Sequence, residues 1–165
     1  MNQVLKAIRD RRSVRRFGPG EVSDHALAEI LEAGRWAPSG KNTQPWRFVV
    51  VRSGEKRRAL ARLAPQDRMI ATAPVTIAVL YDRTAGYDEF KDAQGIGAAI
   101  ENILLAVHSL GLAGCWMGKV RDPEIEALLE AEDTEELAAL IPIGRPGEAP
   151  IPPDRLPLAK LVRYI

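Results

Sequence analysis

A single cysteine, Cys115, and two histidines, His25 and His108, are all the thiol and imidazole chemistry in these 165 residues. One cysteine allows no internal disulfide and no cysteine-built zinc cage, and two histidines are too few for a histidine-rich centre. No metal is expected. The net charge of +1 gives no global attraction to nucleic acid or to an acidic membrane. No apolar run approaches the roughly 20 residues that span a bilayer. Lys6, Arg9, Arg11 and Arg12 interrupt any cleavable signal pattern near the start. A soluble cytoplasmic protein is the expectation. What is present is ordinary globular composition, 46% hydrophobic and 27% charged, and residues 1–165 are expected to form one domain.

The stretch from Ala37 to Phe48 organises the chain. A helical run (Leu27, Ile30, Leu31, Gly34) ends before it, and a strand from Phe48 to Val51 begins after it. Pro38 and Pro45 fix φ at two points, while Gly40 allows positive φ or a close approach. Ser39, Asn42, Thr43 and Gln44 supply donors and acceptors suited to a planar ring with carbonyl and N–H edges. A stiff helix-to-strand connector is the other reading.

The first 17 residues carry six basic side chains against one acid, Asp10. Asn2 caps a first helix whose buried side is Val4, Ala7 and Ile8. Beyond it, extended backbone would place Arg11, Ser13 and Arg15 on one face. Two guanidinium forks flanking a hydroxyl make a phosphate clamp. A solvated basic run, or a nucleic-acid patch, is the alternative; missing aromatic interleaving argues against the latter.

Ser23 caps a second helix, with Val22 stapling to Leu27, and Trp36 is expected to pack. Ser53 caps a third helix that Pro65 ends. Residues 74–81 read as a mostly buried strand. The longest helix runs from Asp92 to Gly111. Ile96, Ala99, Ile100, Ile103, Leu104, Val107 and Leu110 line one face, and Ala98, Leu105 and Ala106 extend the apolar surface around it. A second subunit is expected to complete its covering, while Glu101 and Asn102 need polar partners. Cys115 to Gly118 reads as a short strand, Asp122-Pro123 as a helix start, and Leu137 to Ile143 as a further strand. The acid-rich stretch 121–136 reads as a solvated face. The proline-rich last fifteen residues read as extended.

Taken together these pieces resemble the FMN-dependent nitroreductase family over nearly the whole chain. The matching segments are Arg-Arg-Ser-Val-Arg-Arg-Phe at 11–17, Ala-Pro-Ser-Gly-x-Asn-x-Gln-Pro-Trp at 37–46 and Ala-Pro-Val at 73–75. Ala-x-x-Asn-x-Leu-Leu-Ala at 99–106 runs into Gly-Leu-x-x-Cys-Trp-x-Gly at 111–118, and Ile-Pro-Ile-Gly-x-Pro follows at 141–146.

The resemblance implies an α+β fold with a central mixed or antiparallel sheet flanked by helices. It implies an intertwined homodimer with a long buried interface helix and two FMN sites between subunits. Arg11, Arg12, Ser13 and Arg15 would hold the FMN phosphate. Pro38, Ser39 and Gly40 of the other subunit would lie along the flavin, with Asn42 and Gln44 at its polar edge. Trp116, Met117 and Gly118 match the segment beside the reactive side. Arg145 is the local candidate for a further phosphate contact. The implied activity moves a hydride from NADH or NADPH to FMN, then to a small organic acceptor such as a nitroaromatic or quinone, by a ping-pong mechanism. A flavin-binding module without turnover, or another flavin chemistry on the same fold, is the alternative. No catalytic side chain is needed, because the cofactor carries the chemistry; Cys115 reads as a packed thiol. The chain is short between Ala64 and Asp92, which implies an open pocket.

Overall fold

The computed structural model describes residues 2–65 and 67–165. The sheet is built on two long central strands, β3 (Val75–Asp82) and β5 (Glu135–Pro146), paired antiparallel with a bulge between Val79 and Leu80. β2 (Trp46–Val51) adds to the outer side of β3. The short strands β1 (Phe17–Gly18) and β4 (Ala113–Gly114) add to β5, giving the order β1-β5-β3-β2 with β4 beside β5. Every ladder is antiparallel.

Period-2 alternation divides each central strand between two cores. Val75, Ile77 and Val79 of β3, with Ala139, Ile141 and Ile143 of β5, face α2 (Asp24–Arg35) and α5 (Glu89–Ser109). Ala78, Leu80, Leu137 and Leu140 face the other way, onto α3 (Gly54–Leu63), α4 (Asp67–Thr72) and α6 (Pro123–Leu128). Covering on both faces is why β3 reads as an unbroken apolar run in the sequence.

The side-chain caps at Asn2, Ser23, Ser53 and Asp122 form as the sequence indicates. α5 begins earlier than expected, because Asp88 rather than Asp92 caps it. α2 crosses α5 closely at Gly34, where an added methyl would lie 2.9 Å from Ile103 and 3.0 Å from Phe48. Asn102 donates to the Ala33 carbonyl at 3.1 Å beside that crossing. Glu101 pairs with Arg11. Glu101 and Asn102 therefore both find partners.

Other expectations are corrected. A single chain buries eight residues of α5, including Ile103 at 0% exposure, and leaves Ala98, Leu105 and Ala106 half-buried. The uncovered face is therefore narrower than the composition suggests, since the sheet and α2 cover the rest. α1 (Gln3–Asp10) buries nothing in its own chain, and Val4 and Ile8 stand open. Trp36 is 71% exposed; its indole donates to Glu32 and its ring lies under Arg35. α4 has no counterpart among the expected elements. Cys115 to Gly118 is not a strand, because only Met117 bridges to Leu140. The acid-rich 121–136 stretch is not wholly solvated, since Glu136 pairs with both Arg83 and Arg121 and Glu130 with Lys56.

Candidate functional site

α1 ends at Arg11, and the chain then runs extended beside β4. Ser13 makes a parallel bridge with Gly114, and the Val14 amide donates to the Gly114 carbonyl at 3.1 Å. Val14 is buried, which pins the segment. Alternation then sorts the side chains. Arg15, Ser13 and Arg11 all act on the buried Cys115 thiol. Burial pushes that thiol up, while Arg15, the Ser13 hydrogen bond and Arg11 oppose the rise. A raised, desolvated thiol is a packing group, as expected. Arg12 turns back onto α1. Its guanidinium donates to the Arg9 and Arg11 carbonyls, both at 2.7 Å, closing the end of α1. With Arg11, Val14, His108 and Glu148 it lines a cavity of about 470 Å³ whose lining does not include Ser13 or Arg15. Arg15 is exposed, its guanidinium making a 3.4 Å contact to the Ser13 carbonyl.

Glu148, distant in sequence, holds this segment in place. Its carboxylate accepts from the Arg15 amide at 2.7 Å, the Arg16 amide at 3.2 Å and the Arg16 guanidinium at 2.8 Å. The Arg15 amide and then Arg16 hold the carboxyl below its ordinary value of 4.5. A depressed folded value means that the stabilisation is complete above the unfolded value and lost as pH falls through the lower, folded one. The Arg15 and Arg16 amides are therefore expected to lose hydrogen-exchange protection selectively, relative to their intrinsic rates, as pH is lowered below 4.5. Glu148→Gln should remove that step; an unchanged profile in the variant would show that the carboxylate is not the latch.

Arg145 is not drawn to this cluster. It pairs with Gly18 across β1 and β5, its side chain lies against Gly20, and it is exposed. No hydrogen bond among the described residues links it to 11–15.

The 37–46 loop is locally strained. Lys41 (φ 52°), Asn42 (φ 56°) and Gln44 (φ 49°) occupy the left-handed region that most side chains avoid. Gly40 does not; it serves the close approach instead, since a methyl there would strike the Tyr87 ring. Ser39 braces the turn, its hydroxyl accepting from the Gln44 amide at 2.9 Å and its carbonyl from the Asn42 amide at 3.1 Å. The Gln44 side chain reaches the Asn42 carbonyl at 3.3 Å. At the exit, the Pro45 carbonyl accepts from the Asp82 amide, and Asp82 is held ionised first by Thr84 and then by Arg47. Pro38, Asn42 and Gln44 remain exposed.

In the 115–118 segment Cys115 and Met117 turn into the core, whereas Trp116 and Gly118 turn out. Met117 exchanges two backbone hydrogen bonds with Leu140, so its side chain does not face the site. Trp116 lies over Gly97 of α5, where an added methyl would come 3.6 Å from the indole.

The two polar halves sit at different points along α5. Ser39 packs on Gly95, while β4, which carries the 11–15 segment, packs on Leu104 and Val107. Nine residues of helix separate Gly95 from Leu104, about 13 Å along the axis. No hydrogen bond or ion pair among the described residues joins the halves. The residues that sequence reasoning missed, Glu148, Tyr87 and Asp92, act through long-range or loop contacts that leave no local pattern. Among the described residues no cluster could hold a metal ion, and no helix is long and apolar enough to cross a membrane.

The sequence profile of the nitroreductase family matches residues 8–67 and 62–145. A Methanothermobacter thermautotrophicus protein named as an NADH dehydrogenase/NAD(P)H nitroreductase is 35% identical over 95% of this chain and 87% of its own length. A Desulfovibrio desulfuricans protein described as a nitroreductase and solved with FMN is 40% identical, with a TM-score of 0.90 over 100% of this chain and 98% of that one. The NADPH:FMN oxidoreductase of Vibrio harveyi, solved with NAD+, aligns at 26% identity and a TM-score of 0.89 over 99% of this chain and 77% of that one. With the profile spanning most of the chain and a relative alike almost end to end, this protein belongs to the nitroreductase family.

Proposed function

We propose that this chain is an FMN-dependent oxidoreductase that takes a hydride from NADH or NADPH and delivers it to a small organic acceptor, a nitroaromatic or quinone, in a ping-pong cycle. The observation that carries this reading is the sorted 11–15 segment. Arg15, Ser13 and Arg11 all lie within electrostatic reach of Cys115 on an extended segment fixed by Gly114 and Glu148, and the Arg15 fork is exposed. This arrangement fits a phosphate monoester, which accepts paired charge-assisted hydrogen bonds. The exposed polar groups of Pro38 to Gln44 fit the edge of a planar ring, because a strained and braced loop presents donors and acceptors without reordering. FMN, when bound, supplies two-electron transfer at its ring. The protein's role is then to hold the phosphate, orient the ring and leave one face open beside Trp116 and Gly118. Arg12 and Arg145 take supporting places, and Met117 acts through its backbone. Between α3 and α5 only α4 and β3 with a short loop intervene, which supports an open pocket.

We also propose that residues 1–165 act as one unit in a homodimer whose site is shared. The axial separation of the two polar halves supports this. So does the groove that the half-buried Leu105 and Ala106 form with Val4, Ala7 and the exposed Trp36. The solvent-facing apolar residues of the tail, Ile151 and Leu156 before its short 3-10 turn (Leu158–Lys160) and Leu158 and Leu161 on that turn, which the expectation of a wholly extended tail did not include, add surface for the same partner.

Purified protein is expected to be yellow, or to become so with FMN, and to bleach with NADH or NADPH under anaerobic conditions. Flavin that binds but is reduced by neither nicotinamide would favour a binding module, and no flavin binding would remove both readings.

A further inference from the structure

Asp92 is 1% exposed, in the first turn of α5. Its Oδ2 accepts from the Tyr81 hydroxyl at 3.1 Å, the Tyr87 amide at 2.9 Å and the Asp88 amide at 3.1 Å. Its Oδ1 is buried without a partner. So deeply buried a carboxyl is costly to desolvate, and the three hydrogen bonds on Oδ2 offset that cost. The positive end of α5 supports the charge. Gly86 is pressed against the same carboxylate and the Tyr81 hydroxyl, so a methyl there would strike both. The 83–88 loop is thereby clamped onto the helix.

Clamping that loop sets Tyr87. Its ring and hydroxyl lie against Gly40 with no room for a methyl, and the Lys41 ammonium stands 4.6 Å above the ring. Left-handed residues such as Lys41, Asn42 and Gln44 persist only where their surroundings over-determine them. Tyr87 is one of those surroundings, and among the described residues no hydrogen bond or ion pair joins Asp92 directly to the 37–46 loop. We propose that Asp92 is a positioning residue for the 37–46 loop, acting through Tyr87. The inference deepens the flavin reading and rests on its assignment of Pro38 to Gly40.

The test is an FMN titration with visible circular dichroism of the bound flavin, on full-length Tyr87→Ala, Tyr87→Phe, Asp92→Ala and the double alanine variant. Tyr87→Ala and Asp92→Ala are each expected to raise the FMN Kd roughly tenfold and to change the visible dichroism, as lost preorganisation does. Tyr87→Phe, whose ring still seats on Gly40, should stay within about threefold of wild type. The double variant should bind no worse than either single, because both act along one route. If Asp92→Ala fails to fold, Asp92→Asn replaces it, with a smaller rise of about threefold expected from the weakened hydrogen bonds. An unaltered Kd and dichroism in Tyr87→Ala would overturn the proposal, as would additive losses in the double variant. A wild-type protein that binds no FMN would overturn the flavin reading and this inference with it.

Discussion

Leu105→Glu is expected to turn the protein into a folded monomer without flavin. Leu105 is half-buried in its own chain and lines the apolar groove beside Val4 and Trp36, so the isolated chain tolerates a carboxylate there. A second copy docked on that groove would bury the charge unpaired, at a cost of several kcal/mol. The neighbouring position behaves differently. Ile103 lies in the chain's own core against Gly34, so Ile103→Glu should unfold the subunit rather than separate it from its partner. Circular dichroism establishes that Leu105→Glu keeps its helices, after which sedimentation velocity and flavin content should fall together. A folded Leu105→Glu monomer that retained FMN at wild-type affinity would place the whole site within one chain and remove the shared-site reading.

Arg15→Ala is expected to weaken FMN binding about ten- to hundredfold while leaving the melting temperature of the apoprotein nearly unchanged. Losing a charge-assisted hydrogen bond costs about 1.5–3 kcal/mol, whereas the exposed Arg15 side chain contributes little to folding. Arg12→Ala supplies the contrast. Its guanidinium closes α1 through the Arg9 and Arg11 carbonyls, so it should lower the melting temperature more and FMN affinity less. Equal FMN affinity in Arg15→Ala and wild type would show that the basic run is only a solvated face.

Helix starts were legible because each depends on one side chain reaching a nearby amide, as Ser23 and Asp122 do. The sheet was legible because β3 and β5 are buried on both faces and carry apolar runs that no loop would hold. The extended run after α1 was legible too, with Ser13 bridged to Gly114 and Val14 buried between polar neighbours. Where the reading failed, the deciding force lay outside the local pattern. Trp36 has the composition of a core residue, but α2 ends with it turned outward, where Glu32 and Arg35 hold it. Positive φ fell to Lys41, Asn42 and Gln44 rather than to Gly40, because a ring more than forty residues away occupies the space where a Cβ would stand. Asp92 looked like the natural start of α5, yet its carboxylate turns back onto the Tyr87 and Asp88 amides and inward to the Tyr81 hydroxyl, leaving the cap to Asp88.

The crossing of α2 and α5 at Gly34 has a mechanical consequence. With Ile103 seated directly on Gly34, and with Asn102 bonded to the Ala33 carbonyl, the two helices cannot slide past each other without breaking that bond or driving Ile103 into backbone. α2 runs directly into the 37–46 loop, and α5 carries Leu105 and Ala106 on its free face. The pair therefore behaves as one lever, with the docking groove on one arm and the strained loop at the other. In a dimer with a shared site, pressure at one subunit's groove would be felt as displacement at the loop that the same subunit lends to its neighbour. The two pockets would then be geared to each other by stiffness alone.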